Sequence, residues 1–266
     1  MTSVGMAAGI AAAFNAPIAA VTFTLEELIG DLDQTMLSGV IVAAALAAVV
    51  ENSILGSNPV FHVQANYKLT KPSSLVWYAL LGLLAAVVSV AFTDSLLAVR
   101  LWFRRFTALP RWVHPAIGGA ATGGMAVAAL ALFHLNGIAG DPYKTLTLAL
   151  ISKMSVTAMA VFCVLKLAAT VSSYSSGGSG GIFAPSLFMG GMLGGAVGCL
   201  DVIVFHHPAD SIGAFAVVGM GAVFAGIVRA PMTSVLIIFE MTGGYGLILP
   251  LMIANISAFA PGCIDI

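Results

Sequence analysis

Charged side chains are so few in this chain, and so unevenly placed, that long neutral stretches separate them. There are 10 Lys and Arg and 11 Asp and Glu in 266 residues, or 8% charged, against roughly 25% in soluble domains. Each neutral stretch can hold a membrane span of about 20 residues, because that length of helix crosses the hydrocarbon core. The chain is therefore predicted to be an integral membrane protein. The stretches are residues 34–50, 72–93, 112–140, 167–200, 211–228 and 241–264.

The composition also excludes several functions. A formal net charge of −1 without a basic run provides no electrostatic footprint for nucleic acid. The three cysteines, Cys163, Cys199 and Cys263, are widely spaced and lie in or beside apolar segments, so they predict neither a disulfide framework nor a zinc site. The five histidines show no metal-ligand spacing either. We therefore expect no nucleic-acid partner, no metal and no cofactor.

Polar residues divide the chain at two places. Residues 51–74 are rich in Asn, Pro and Ser and predict a loop between two spans. Near the middle of the chain, a basic cluster lies between two tryptophans, a pattern typical of a membrane interface. No soluble domain or long linker is indicated, so residues 1–266 are predicted to form one membrane domain. The cluster comprises Arg100, Arg104, Arg105, Arg111, Trp102 and Trp112.

Two apolar segments, residues 16–25 and 230–239, are too short to cross a bilayer. Ten helical residues reach roughly 15 Å, whereas the hydrocarbon core is about 30 Å thick. Half-spanning helices are tolerated where their ends face protein or water, and in transporters they surround the substrate site. The two segments therefore indicate a permeation site.

The two short segments belong to an internal repeat. Residues 5–26 align with residues 219–240 without a gap, and eight of the 22 aligned positions are identical, including an Ala-Pro pair and a Glu. Duplicated halves with broken helices are a transporter architecture. The first copy starts almost at Met1, so we expect that the front of the first half is not part of this sequence.

The segment SSYSSGGSGGIFAPSLFMGGMLGGAVG, residues 172–198, is the best candidate for an ion site. Its Ser/Gly-rich part ends at Gly181, and Pro185 suits only the first turn of the next helix. The N–H groups of Ile182, Phe183 and Ala184 are then unpaired donors at a positive helix end, which favours an anion. Such partial charges also permit its release. The later glycines have helix-packing spacing, and we assign them to packing: Gly190, Gly191, Gly194, Gly195 and Gly198.

The same segment matches the G-x-S-x-G pattern of a hydrolase nucleophile, with Ser179 as the serine. That motif requires a buried strand before it and a His base with an acid. The preceding sequence shows no strand pattern, and His206 and His207 close a span beside a proline. An intramembrane serine protease is therefore kept only as a remote alternative.

Three carboxylates, Glu26, Glu27 and Glu240, lie where the half-helices end and where the helix dipole disfavours negative charge. Glu26 and Glu240 are equivalent in the repeat, which predicts a shared architectural role. Glu27 has Met241 as its counterpart. It is a candidate proton acceptor, the alternative being a surface carboxylate. Lys166 is isolated on its span and is expected to snorkel toward the membrane surface.

These residues resemble those of the CLC family of chloride channels and chloride/proton antiporters. The resemblance covers residues 5–258 and is strongest in GSGGIFAP, residues 178–185, and in RAPMT, residues 229–233. It implies an all-α, inverted-repeat bundle of tilted and half-spanning helices, and a homodimer with one pore in each subunit. It also implies that the N–H groups of Ile182 and Phe183 bind the central chloride.

The resemblance also favours one activity, chloride/proton antiport, over its alternatives. Glu27 occupies the position of the internal proton glutamate of family antiporters, so it implies chloride/proton antiport in a prokaryotic plasma membrane. A passive voltage-gated channel and a transport-inactive dimerisation fragment are the alternatives. The family's Gly-x-Glu-Gly-Pro and Gly-Ser-Gly-Pro segments would precede Met1, and its closing helix would follow Ala260. We therefore expect this chain alone to insert without coupled exchange. The family's regulatory domains are also not expected here.

Overall fold

The computed structural model describes residues 2–29, 34–56, 61, 74–105, 110, 112–140, 142–205 and 211–260. Within these ranges every regular element is helical, which confirms the all-α prediction. A π-helical segment, Thr24–Ile29 (the π segment), continues α2, and a 3₁₀ turn, Tyr245–Leu247, precedes α11. The α-helices are Thr2–Phe14 (α1), Pro17–Phe23 (α2), Gln34–Leu55 (α3), Ser74–Arg105 (α4), His114–Phe133 (α5), Tyr143–Leu150 (α6), Val156–Ser175 (α7), Phe183–Phe205 (α8), Ser211–Val228 (α9), Pro231–Thr242 (α10) and Ile248–Phe259 (α11).

Six of the described helices, α3, α4, α5, α7, α8 and α9, are long and apolar enough to cross a membrane. Four of the six predicted neutral stretches each contain most or all of one such helix. A fifth, residues 167–200, contains the end of α7 and most of α8. The prediction of a span in residues 241–264 is wrong, because Gly243 adopts a left-handed conformation (φ +66°) that ends α10. The 12-residue α11 that follows is too short to cross alone.

The core of the bundle is the contact between α8 and α9, where glycines bring two backbones together. A methyl group added at Gly190 would lie 2.7 Å from the Cα of Met220, and one at Gly198 would lie 3.0 Å from the Cα of Ile212. No side chain fits at such distances, so glycine permits the close approach. This confirms the packing role predicted for the glycines of α8.

The internal repeat is visible in the backbone. Asn15, between α1 and α2, has φ +48°, and Arg229, between α9 and α10, has φ +62°. These two positions are equivalent in the repeat, and left-handed φ values are uncommon outside glycine. The residues that follow, Ala16 (φ −134°, ψ 71°) and Ala230 (φ −113°, ψ 78°), are N-caps with similar backbone angles, and a proline is next in sequence after each. The two copies therefore fold into the same helix, left-handed turn and half-helix.

Parts of two sequence features lie outside the described residues: most of the loop 51–74, and Arg111 of the basic cluster. His206 and His207 also lie outside them. The other three arginines of the cluster are at or near the end of α4, and Trp112, just before α5, is 80% exposed.

Candidate functional site

The candidate anion site is a break between two long helices. Helix α7 ends at Ser175, and Gly177 (φ +90°) turns the chain away from it. The N–H groups of Gly177 and Gly178 donate to the carbonyls of Tyr174 (3.2 Å) and Ser173 (3.1 Å) and so close the last turn of α7. Helical structure resumes only at Phe183. The Ser/Gly-rich run thus interrupts the helix where the sequence predicts an interruption.

The start of α8 is held in place by an aromatic cluster around Phe183. Its ring lies 5.9 Å from that of Phe14, 5.2 Å from Phe23 and 5.1 Å from Phe224. Such ring pairs stabilise a fixed arrangement beyond the area they bury. Because these rings belong to α1, α2 and α9, the helix start is fixed against both copies of the repeat.

An exposed glycine precedes the backbone donors at this helix start. In any α-helix the first N–H groups lack partners within the helix, and here they belong to Ile182, Phe183 and Ala184. Gly181 is exposed, and a methyl group added there would meet nothing within 4 Å. Pro185 contributes no N–H, so the donors of the first turn are concentrated before it.

A cavity of about 290 Å³ adjoins this helix start. Gly180, Gly181 and Pro185 line it on one side, and Lys166 and Thr170 of α7 on another. The lining combines hydroxyl-bearing and glycine residues with apolar ones. The volume of the cavity is sufficient for water or a small anion near the start of α8.

The prediction that Lys166 snorkels is wrong. Lys166 is only 5% exposed, and its Nζ donates to the backbone carbonyls of Gly137 (3.1 Å) and Ile138 (2.9 Å). Nζ also lies 5.3 Å from the ring centre of Phe188, a cation–π distance. The two carbonyls belong to the segment after α5, where no helical N–H serves them. A sequence shows the isolated charge but not the loop that folds over it.

The equivalent glutamates at the ends of the two half-helices cap each other's helix. Glu26 accepts hydrogen bonds from the N–H groups of Met232 (3.1 Å) and Thr233 (2.8 Å) at the start of α10. Glu240 accepts them from Ile18 (3.0 Å) and Ala19 (2.7 Å) at the start of α2. Each carboxylate therefore lies at the positive end of the neighbouring dipole. The predicted shared role was right, but its nature could not be deduced from the sequence.

Glu27 follows Glu26 in the π segment and is exposed, whereas its repeat counterpart Met241 is fully buried. Single-turn π-helical segments often occur at functional sites. The fold places this segment directly after Phe23, whose ring touches Phe183 of the α8 start. Helix α2, which the π segment continues, therefore contacts the start of α8 through Phe23.

The environment of Ser179 does not match a hydrolase nucleophile. The element before it is helix α7, whereas the G-x-S-x-G motif requires a strand followed by a sharp turn into a helix.

Nearly the whole chain matches the model of one protein family. The family is described as "Voltage gated chloride channel", and the match covers residues 1–261.

Curated bacterial proteins are similar over the same length. Proteins named "H(+)/Cl(-) exchange transporter ClcA" from Salmonella paratyphi A and Salmonella newport are each 33% identical over 267 residues. The alignment covers 97% of this chain and 54% of each relative. The chain thus spans about half the length of these relatives.

Solved structures share the fold. A slow cyanobacterial Cl⁻/H⁺ antiporter superposes with a TM-score of 0.84 at 28% identity, over 97% of this chain and 60% of the other. A CLC-type fluoride/proton antiporter gives a TM-score of 0.75 at 23% identity, over 97% of this chain and 61% of the other. At that identity the second likeness concerns the fold alone.

Proposed function

We propose that this chain, which belongs to the voltage-gated chloride channel family, takes part in moving chloride across a membrane in exchange for protons. The six long apolar helices among the described residues and the Salmonella relatives identify it as a multi-pass membrane protein of the prokaryotic plasma membrane. The observation that carries the proposal is the interrupted helix at residues 176–182, which places helix-start backbone donors next to a cavity of about 290 Å³. The bacterial relatives and the cyanobacterial neighbour are named as chloride/proton exchangers, which supports a proposal of chloride movement in exchange for protons.

In this proposal the anion binds to main-chain N–H groups of residues 181–184, with Pro185 defining the first turn. Hydrogen-bond donors must replace the water that a chloride ion loses, because an unpaired buried charge is costly. Partial charges at a helix start compensate that loss without holding the ion as tightly as a full cation would. The exposure of Gly181 and the adjoining cavity leave room for the ion.

Glu27 is the proposed proton acceptor. It is exposed, and the π segment that carries it continues α2, which contacts the α8 start through Phe23. Met241 in the other repeat cannot exchange protons, so only one repeat carries this group. The coupled ions are then chloride and protons, with neither metal nor organic cofactor.

Two alternatives concern the same site. A passive chloride channel would use the backbone donors without Glu27. A dimerisation fragment would use neither, a possibility that arises because the chain spans about half the length of its relatives. A serine protease has the least support, since α7 precedes Ser179; we propose that the chain is not an enzyme.

We also propose that residues 1–266 form a single membrane domain that assembles as a homodimer. Large apolar side chains are exposed on both half-helices, Ile18 by 57% and Met232 by 70%. The lipid bilayer and a second copy are the partners expected for such a face.

The function is tested with purified protein in chloride-loaded liposomes, using a chloride electrode and a pH-sensitive dye. In a protein that joins this chain to the family's Gly-x-Glu-Gly-Pro and Gly-Ser-Gly-Pro segments (the joined protein), both ions should move in a fixed ratio, whereas residues 1–266 alone should show no coupled exchange. Glu27→Gln in the joined protein should move chloride without protons, because an amide side chain neither gains nor loses a proton near pH 7. Chloride movement without protons by the unsubstituted joined protein would favour the channel, and no chloride movement by it would favour the dimerisation fragment.

A further inference from the structure

Three hydrogen bonds hold the carboxylate of Glu26, the residue next to the proposed proton acceptor. Oε1 of Glu26 accepts from Met232 N–H at 3.1 Å, and Oε2 accepts from both the N–H and the Oγ1 hydroxyl of Thr233, each at 2.8 Å. Charge-assisted bonds to a carboxylate are short and strong. Glu26 therefore joins the end of one half-helix to the start of the other at a fixed orientation.

The helix at this point is unusual. Residues Thr24–Ile29 are π-helical, whereas α10 remains α-helical around the equivalent Glu240, up to Thr242. A π-helical turn is rare and competes with the ordinary α-helical path. Its first residue is anchored by the bond from Thr24 Oγ1 to the carbonyl of Ala20 at 2.8 Å. Two residues after Thr24, Glu26 holds the π segment to the start of α10 through its hydrogen bonds.

Adjacent residues on a helix differ in direction by roughly 80–100°. Because Glu26 is fixed toward α10, the direction of Glu27 is fixed as well. Without the cap, the segment can rotate or return to an α-helical path, and either change would turn Glu27 away from its present direction.

From this geometry we propose that Glu26 is a positioning residue for Glu27. Its cap on α10 selects the π-helical path and thereby sets the direction of the Glu27 carboxylate. The significance of that direction for proton movement rests on the function proposed above, whereas the orientation of residue 27 does not.

The repeat provides a matched control. Glu240 forms the equivalent cap on α2, with bonds of 3.0 and 2.7 Å from Ile18 and Ala19. It is followed by the buried Met241 and not by a carboxylate. If both glutamates are merely architectural, Glu26→Gln and Glu240→Gln should have the same effect on the orientation of residue 27. If Glu26 is a positioning residue, only Glu26→Gln should change that orientation.

The experiment measures orientation and coupling in the same variants. A spin label is attached through Glu27→Cys after Cys163, Cys199 and Cys263 are replaced by Ala, and its mobility is recorded by electron paramagnetic resonance. Glu26→Gln should increase that mobility and Glu240→Gln should not. In the joined protein with Glu27 retained, proton flux per chloride should fall toward the Glu27→Gln level with Glu26→Gln and stay at the unsubstituted level with Glu240→Gln.

Equal label mobility in the two variants, whether raised or unchanged, would overturn the proposal. If Glu26→Gln does not fold, the nearly isosteric Thr233→Val removes only one of the three bonds to Glu26 and should still mobilise the label partially. If the unsubstituted joined protein moves no protons but the label responds only to changes at Glu26 and Thr233, the proposed antiport fails and the positioning role stands.

Discussion

At the scale of single residues, the candidate anion site depends on main-chain groups, so its test must remove an N–H and not a side chain. Ile182→Pro deletes the donor at the position before α8, and the flexible Gly181 tolerates the following proline. A hydrogen bond to a charged partner is worth about 2 kcal/mol, so chloride should bind roughly 30-fold more weakly. Isothermal titration calorimetry with chloride measures the change.

The control for this variant is Ile182→Ala, which removes the side chain and keeps the N–H. Its chloride affinity should remain close to that of wild type. If both variants bind chloride equally, the backbone donor at residue 182 does not contact the anion.

A second residue-scale prediction concerns the buried Lys166. Lys166→Met keeps the length of the side chain but leaves the carbonyls of Gly137 and Ile138, both buried, without the Nζ donor. Unmade bonds of this kind cost about 1–3 kcal/mol, so the melting temperature in detergent should fall. Lys153→Met, at an exposed lysine, should leave it unchanged. A fall of the same size in both variants would contradict the structural role of Lys166.

At the scale of elements, the α8–α9 contact leaves no room for a side chain at its glycines. A Cβ at Gly190 would lie 2.8 Å from the carbonyl carbon of Gly219 and 2.7 Å from Met220 Cα, and both are backbone atoms that cannot rotate away. Gly190→Ala should therefore destabilise the protein by about 1–3 kcal/mol, as overpacking does. Thermal unfolding in detergent, followed by fluorescence, measures the effect.

Gly123→Ala is the matched substitution on α5, where an added Cβ meets nothing within 4 Å. It should be neutral or slightly stabilising, since alanine is the better helix former. If Gly190→Ala is equally neutral, the two helices do not approach as closely as described.

At the scale of the whole molecule, the proposed homodimer places the apolar face of the half-helices between two copies. In mild detergent the protein should have twice the chain mass of 27.1 kDa by light scattering. Met232→Gln should shift it toward the monomer, because Met232 is 70% exposed and a polar amide there would lack a partner in the interface. Val127→Gln, at a 68% exposed position of α5, should leave the dimer intact. A monomeric wild type would refute the proposed interface.

The amino-acid sequence determined the membrane class, the helical fold and the broken helix. Each of these features acts locally. Sparse charges leave apolar stretches long enough to span a membrane. The prolines of the Ala-Pro repeat fix φ, and the Gly-rich run before Pro185 lacks side chains that would favour a helix. The candidate residues Gly181, Ile182, Phe183, Ala184 and Pro185 are accordingly found at an interrupted helix start. Their role as anion donors and that of Glu27 as proton acceptor stay predictions.

Only the tertiary structure decided which groups meet across the chain. Glu26 bonds to residues more than 200 positions away, and Lys166 bonds to a loop near residue 138. The ring of Phe183 meets rings from both repeats. The sequence showed charges that the local helix could not explain, such as Glu26 at a negative helix end. Their partners depend on how antiparallel half-helices and loops pack in three dimensions, which is not encoded in the spacing of any one segment.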